Sequence, residues 1–381
     1  MTPALLLIAA TGTLVLLKAR GMMTRYTDVL IVPAVFLAAA LIGFVLGNGG
    51  WLLLAVFAGA CVWAVWFAHR APDPRPDLAS PAPPGVTAPE GWRTHTLAAL
   101  HMLVFKTVPL KDLEEPLHPE VRKHSNIVYG DAGNRPLHLH VYEPKSRDGS
   151  AMPAILFVHG GGWNSGDLNQ LNIYANHFAR AGYVTICMEY RLSGEAPFPH
   201  ALEDVLTAIR WARANADQYG IDPARLALSG NSAGGHLAMM AAYGANDPQW
   251  NRESGHAGHD ESVKALVNIY GGYDLTADWV RREPNIRAFL NARPDEVETY
   301  RRASPRFYVS AASPPTLILH GDLDLHSPIG QSDALAEDLF RFGVPCTYGR
   351  LAGWAHIFDV SEQGFEWAVG YMEPFLKEHL R

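Results

Sequence analysis

The stretch RLALSGNSAGGHLAMMAAY, residues 225–243, changes its hydrophobic period halfway along. Residues 225–229 form a short apolar run of the kind a buried strand uses, whereas residues 233–243 are small, apolar and helix-forming. Between them stands Gly230-Asn231-Ser232-Ala233-Gly234, a G-x-S-x-G pentapeptide. Alone, five residues with three fixed say little. Between a strand and a helix they describe a sharp, strained turn that lifts a serine hydroxyl above the end of a sheet, with small neighbours that let backbones pass. A glycine-rich turn whose serine merely caps the helix is the plainer alternative. The strand–turn–helix setting favours a nucleophile.

Outward from this point the same alternation repeats. Apolar, β-rich runs lie at 137–142, 154–159, 183–188, 265–270, 316–320 and 346–351. Helical patterns fall between them at 170–181, 200–216, 329–342 and 362–376. In the second of these Ala201, Val205, Ile209 and Ala212 share one face. Strand–helix alternation with near-continuous apolar strands predicts an α/β fold with a mostly parallel central sheet flanked by helices. The Arg-rich segment 274–313 is less regular and reads as a small helical excursion over the C-terminal edge of that sheet.

A serine nucleophile needs a base, and the base an orienting carboxylate. In this kind of fold the chain order is serine, acid, histidine. After the run TLILH comes Gly321-Asp322-Leu323-Asp324, and after TYGRL comes Ala352-Gly353-Trp354-Ala355-His356. Both follow strand ends, where open α/β sheets place their sites. His356 is therefore the expected base. Asp324, further into its loop, is preferred as the acid over Asp322, whose alternative role is hydrogen bonding within the turn. After the run AILFV stands His159-Gly160-Gly161-Gly162-Trp163, whose consecutive glycines can turn backbone N–H groups toward a substrate oxygen, together with that of Ala233. A nucleotide-binding loop is disfavoured: the third fingerprint position holds Ser165, and no G-x-x-x-x-G-K-[ST] occurs.

These motifs resemble those of the hormone-sensitive-lipase-like bacterial esterases of the α/β-hydrolase superfamily, over roughly residues 125–378. HGGGW at 159–163, EYRLSGEAPFPHALED at 189–204 and GNSAGG at 230–235 carry the resemblance. It implies that Gly161, Gly162 and Ala233 supply the oxyanion N–H groups, and that Ser232, Asp324 and His356 form the triad. Two features depart from the pattern. Asn231 stands where these esterases usually have Asp, and the acid lies in HGDLDLHSP (320–328), which is more similar to feruloyl-esterase-like and peptidase-like hydrolases. The expected activity is carboxylic-ester hydrolysis through an acyl-enzyme, with no cofactor and no metal. Amide or peptide hydrolysis by the same triad, and a non-catalytic receptor on the same fold, are the alternatives. His236, four residues after the serine, reads as a packed neighbour rather than a second base. His256-x-x-His259-Asp260 reads as a surface loop rather than a zinc site.

Charge divides the 381-residue chain in two. Residues 1–69 hold four formal charges, Lys18, Arg20, Arg25 and Asp28, out of 69 in the whole chain. Residues 2–17, 29–47 and 51–68 are apolar runs, and a membrane-crossing helix needs about 20 such residues. The reading is a bundle of two or three transmembrane helices. The first run is short, so a surface-lying segment or a cleaved signal are its alternatives. Lys18, Arg20 and Arg25 flank one side of the second run, Arg70 and Arg75 follow the third, and the Asn48-Gly49-Gly50 turn has no charge. The positive-inside rule then faces the catalytic domain, residues 91–381, to the cytoplasm, at what the bacterial resemblance makes the inner membrane. Residues 71–90 carry seven prolines and read as an extended linker, 70–90. Residues 91–107 read as a packed helix or as an interfacial lid. A net charge of −7 argues against a nucleic-acid partner, which favours a basic face. Cys61, Cys187 and Cys346 sit in apolar runs and predict free thiols rather than a disulfide framework.

Overall fold

A strand buried on both faces is mostly apolar along its length, and the central strands here follow that pattern, with a few buried polar residues such as Thr185, Asn268 and His320. The computed structural model describes residues 78–84, 86, 117–250, 255–277 and 280–381. Among the described residues eight strands form one sheet: β1 (Val121–Asp131), β2 (Pro136–Pro144), β3 (Met152–Val158), β4 (Val184–Met188), β5 (Ile221–Asn231), β6 (Ala265–Ile269), β7 (Thr316–Gly321) and β8 (Cys346–Leu351). Their spatial order is β1-β2-β4-β3-β5-β6-β7-β8. The β1–β2 and β2–β4 pairings are antiparallel and every other pairing is parallel.

Successive residues of a strand point to opposite faces, so β3 feeds two cores. Ala154, Leu156 and Val158 enter one, and Ile155 and Phe157 the other. The first core is closed by α2 (His200–Ala214), α4 (Ala233–Tyr243) and α7 (Gly330–Arg341), through residues such as Val205, Leu237 and Leu335. The second is closed by α1 (Asn172–Arg180) and α8 (Glu362–His379), through Phe178, Trp367 and Met372. The expected α/β sheet is thus present, with its strand ends carrying the loops of interest.

The structure differs from the sequence reading in four places. The strand β1 was not anticipated. It is a half-exposed edge with polar residues at most positions, so it lacks the apolar run that marks its neighbours. The strand β5 begins at Ile221, four residues before the apolar run. The helical pattern 200–216 is interrupted at Asn215, after which a single turn, α3 (Ala216–Tyr219), follows. The last helix runs on to His379 with Pro374 inside it. The excursion between β6 and β7 holds two short helices, α5 (Pro284–Leu290) and α6 (Val297–Arg302), flanked by single 3-10 turns.

Part of the proline-rich linker is docked rather than free. Ser80 N–H donates to Tyr348 O at 2.8 Å and Tyr348 N–H to Ser80 Oγ at 2.9 Å, while Leu78 and Val86 pack on the two cores. The apolar runs at 2–17, 29–47 and 51–68 and the segment 91–107 lie outside the described residues. Among the described residues no helix is long and apolar enough to cross a membrane. Cys187 is buried and Cys346 partly so, both as free thiols, and burial pushes each up to about 12.

Phe157 lies at the centre of the second core, its ring against those of Tyr174 and Phe178 at 6.1 and 6.4 Å. Phe157→Ala should cost about 3–5 kcal/mol, read as a lowered urea midpoint with unchanged slope. A loss below about 1 kcal/mol would mean that this core is not packed as described.

Candidate active site

The turn at Ser232 is strained as its sequence demands. Its backbone sits at φ 52°, ψ −120°, a region that costs a non-glycine residue about 1–3 kcal/mol. Two bonds hold it there: Ser232 N–H donates to Ile269 O at 2.9 Å, and His236 N–H donates to Ser232 O at 3.0 Å. The helix α4 leaves directly from the serine, so Ala233 is its first residue, and the first N–H groups of a helix have no intrahelical acceptor. A Cβ at Gly234 would overlap the carbonyl oxygens of Val158 and His159, which is why only glycine fits where the turn crosses the end of β3.

His356 follows β8 and reaches the serine: Ser232 Oγ lies 2.8 Å from His356 Nε2. On the other side of the ring, Nδ1 lies 2.5 Å from Asp324 Oδ2. The carboxylate of Asp324 is almost fully buried, and its other oxygen accepts from the backbone N–H groups of His326 and Ser327, both at 2.8 Å. Burial opposes ionisation of Asp324. His356, together with hydrogen bonds from His320 and His356, outweighs that and holds the carboxyl well below the usual carboxylate range. Asp322, the alternative acid, accepts instead from Gly353 N–H and ties the β7 loop to the turn after β8.

The glycine loop is built by fixing carbonyls. Gly160 O accepts from His159 Nδ1–H at 2.7 Å. Gly161 O accepts from Asn164 N–H, Ser165 N–H and Ser165 Oγ–H, at 3.2, 3.1 and 2.8 Å. A trans peptide unit points its N–H opposite to its C=O. The N–H groups of Gly161 and Gly162 are thereby turned away from these partners, and neither makes a hydrogen bond to the described residues. The loop abuts the serine: a Cβ on Gly160 would lie 3.3 Å from Ser232 Cβ. The fold thus links Ser232, His356 and Asp324 in one hydrogen-bonded chain and sets Gly160 of the glycine loop beside the serine.

Other residues surround the triad. The Tyr270 ring lies 4.6 Å from the imidazole of His356, and that of His326 stacks at 5.4 Å. Tyr270 O–H donates to Asp359 Oδ1, Tyr174 O–H to Asp359 Oδ2 at 3.3 Å, and Asn231 Nδ2–H to the Tyr270 oxygen at 3.2 Å. Burial raises the pKa of Asp359. Asn231, the departure beside the nucleophile, is thus one end of a buried chain that passes under the base. Trp163 stacks on Phe289 of α5 at 4.7 Å and donates from Nε1–H to His236 Nδ1 at 3.3 Å. His236 is fully buried, with Nε2–H donating to Ala303 O at 2.7 Å, so it is a packed neighbour as expected. No sequence signal marks Tyr270, which follows β6, Asp359, in the 3-10 turn after β8, or Phe289, on α5. His256 and His259 lie on the loop before β6, where Asp260 accepts from Ser262 and Asn246. Among the described residues no cluster of three or more His, Cys, Asp or Glu could hold a metal.

The sequence profile of the BD-FAE family matches residues 139–339, a span that includes the glycine loop, Ser232 and Asp324 but ends before His356. The probable carboxylic ester hydrolase LipM of Mycobacterium tuberculosis is 32% identical over 66% of this chain and 60% of its own length. Esterase LipC of the same organism is 36% identical over 61% of this chain and 59% of its own. The chain thus spans about three fifths of the length of these curated relatives. Among solved structures, a butyrate-bound thermophilic esterase from the Planctomycetes species Thermogutta terrifontis superposes with a TM-score of 0.59 at 27% identity, over 68% of this chain and 94% of that one.

Two measurements test the geometry. Asp324→Asn should lower kcat by about 10³–10⁴-fold, whereas Asp322→Asn should lower it less than tenfold, since only the first leaves the His356 tautomer unsupported. Equal or reversed losses would reassign the acid. Independently, burial drives His140, His159 and His236 down to about 4 from an ordinary value near 6.5. Between those values the unfolded chain binds protons that the native chain refuses, so stability falls as pH drops from about 6.5 to 4. The urea midpoint should therefore decrease across that window. A midpoint unchanged from pH 7 to pH 4.5 would mean that these histidines are not buried neutral.

Proposed function

The chain belongs to the BD-FAE family, and from that premise we propose that it is a serine hydrolase that cleaves carboxylic esters through an acyl-enzyme. The observation that carries the proposal is the unbroken path from Ser232 Oγ through both nitrogens of His356 to Asp324 Oδ2, in links of 2.8 and 2.5 Å. Esterase relatives and an esterase structural neighbour support the same chemistry.

In the proposed mechanism His356 Nε2 takes the serine proton as Ser232 Oγ attacks the ester carbonyl. The carbonyl electron pair moves onto oxygen, and the N–H groups of Gly161, Gly162 and Ala233 receive that oxyanion. His356 then protonates the departing alkoxide, which leaves as the alcohol. Water, deprotonated by the same nitrogen, attacks the acyl carbon; the bond to Ser232 Oγ breaks, the acid leaves, and His356 returns the proton to Oγ. Throughout, Asp324 stays ionised, orients the ring through Nδ1–H and stabilises the imidazolium. Trp163 and Phe289, both buried, stack against each other and back the glycine loop from inside the protein.

We further propose, from the charge pattern of residues 1–75, that the apolar runs anchor the enzyme to a membrane with its catalytic domain in the cytoplasm. Such an anchor would hold the site near esters that partition into the bilayer.

Ser232→Ala should keep the unfolding free energy from urea titration within about 0.5 kcal/mol and lose at least 10³-fold in p-nitrophenyl ester turnover, together with labelling by a fluorophosphonate probe. Near-wild-type turnover in that variant would remove the mechanism. A reporter that works only in the cytoplasm, fused after Arg381, should be active in the full-length protein. An active export-dependent reporter would reverse the orientation.

A further inference from the structure

Asp324 Oδ2 receives two histidines, and the triad uses only one of them. His356 Nδ1 is at 2.5 Å and His320 Nε2 at 3.1 Å from the same oxygen. His320 is the penultimate residue of β7 and is fully buried. Its Nε2 also faces Ser327 O at 2.7 Å, and its Nδ1 faces Ser332 Oγ of α7 at 2.7 Å. A carboxylate and a carbonyl oxygen can only accept, so the ring must carry its proton on Nε2 and divide that N–H between them. Ser332 holds the far end of the ring.

We propose that His320 is a positioning residue: anchored in the sheet through β7 and fixed to α7 by Ser332, it aims Asp324 Oδ2 at His356 Nδ1. The inference rests on the reading of Ser232, His356 and Asp324 as the working triad. The two backbone donors to Oδ1 fix one oxygen, but both come from the same loop, residues 326 and 327. Oδ2 is the oxygen that faces the base, and among the described residues its other donor is His320. A strand-borne donor fixes the plane of the carboxylate relative to the sheet, and β7 and β8 are neighbours in that sheet, so the acid and the base share one frame. A short charge-assisted bond to the base depends on that plane. A donor spent only on closing the loop at Ser327 would have no effect on Asp324.

The test replaces the donor and then restores it. His320→Leu removes the N–H, whereas His320→Gln places an amide N–H near the position of Nε2. In p-nitrophenyl ester assays on the full chain, His320→Leu should lower kcat at least tenfold with KM within twofold. His320→Gln should recover most of kcat. Ser332→Ala, which keeps the ring but frees it to rotate, should lower kcat severalfold at unchanged KM. The rate of fluorophosphonate labelling of Ser232 should fall in the same order. Should His320→Leu fail to fold, the Gln and Ser332→Ala variants decide. Wild-type kcat in Ser332→Ala, or equal kcat in folded Leu and Gln variants, would make His320 a merely structural residue and overturn the inference. Ser232→Ala in the same assay separates the two readings. If it retains turnover, the triad itself fails; if it is inactive while His320→Leu is unaffected, only the role of His320 fails.

Discussion

The close crossing of two backbones at the end of β3 and β5 is the constraint on which the rest of the site depends. The serine turn must pass over Val158 and His159 with no Cβ at Gly234, and it must hold Ser232 at positive φ. That strain of about 1–3 kcal/mol persists only where the surroundings over-determine the geometry. Here they do: β3, β5 and β6 are central strands packed on both faces, and Ile269 at the end of β6 accepts the serine's own N–H. The glycine loop, the helix start and the hydroxyl all take their positions from that crossing.

The parts of the fold that were legible in the sequence share a physical reason. Central parallel strands are near-continuous apolar runs, and the serine turn and the glycine loop each need small residues at fixed spacing, so both leave local marks. The strand β1 is half-solvated and leaves none. The docking of Ser80 on Tyr348 joins positions 268 residues apart, and a proline-rich stretch carries no sign of where it will rest. The same division holds at the site. Ser232, Asp324 and His356 were legible because each sits in a loop just after an apolar strand. Tyr270, Asp359 and His320 are read only from distances. His320 stood in the quoted HGDLDLHSP, but as the last residue of an apolar run it looked like the close of a strand rather than a hydrogen-bond donor.

The excursion between β6 and β7 shows how an irregular segment becomes part of a site. Its sequence is rich in Arg and short of periodicity, yet Phe289 from it meets both Trp163 and Phe198, at 4.7 and 5.7 Å. Trp163 itself has positive φ, which turns its ring onto the excursion directly after the glycines. The loop that receives the oxyanion in the proposed mechanism is therefore backed by aromatic packing from a distant part of the chain. Its N–H groups need not be reorganised as charge develops, which is the condition for strong electrostatic stabilisation.

An open sheet ends in unpaired backbone groups that can recruit a strand from another molecule. In a parallel edge strand, the N–H and C=O of one residue point the same way, and on the outer side of β8 Ser80 takes both groups of Tyr348. At the opposite edge, β1 is broken by two register shifts and carries Arg122, Lys123 and His124. Neither edge is a clean template. Extending the sheet from copy to copy would require displacing the segment around Ser80 or straightening a bulged and charged strand. Self-association by strand addition is thereby disfavoured at both ends, a protection against aggregation that matters most for a chain whose first 69 residues are so apolar.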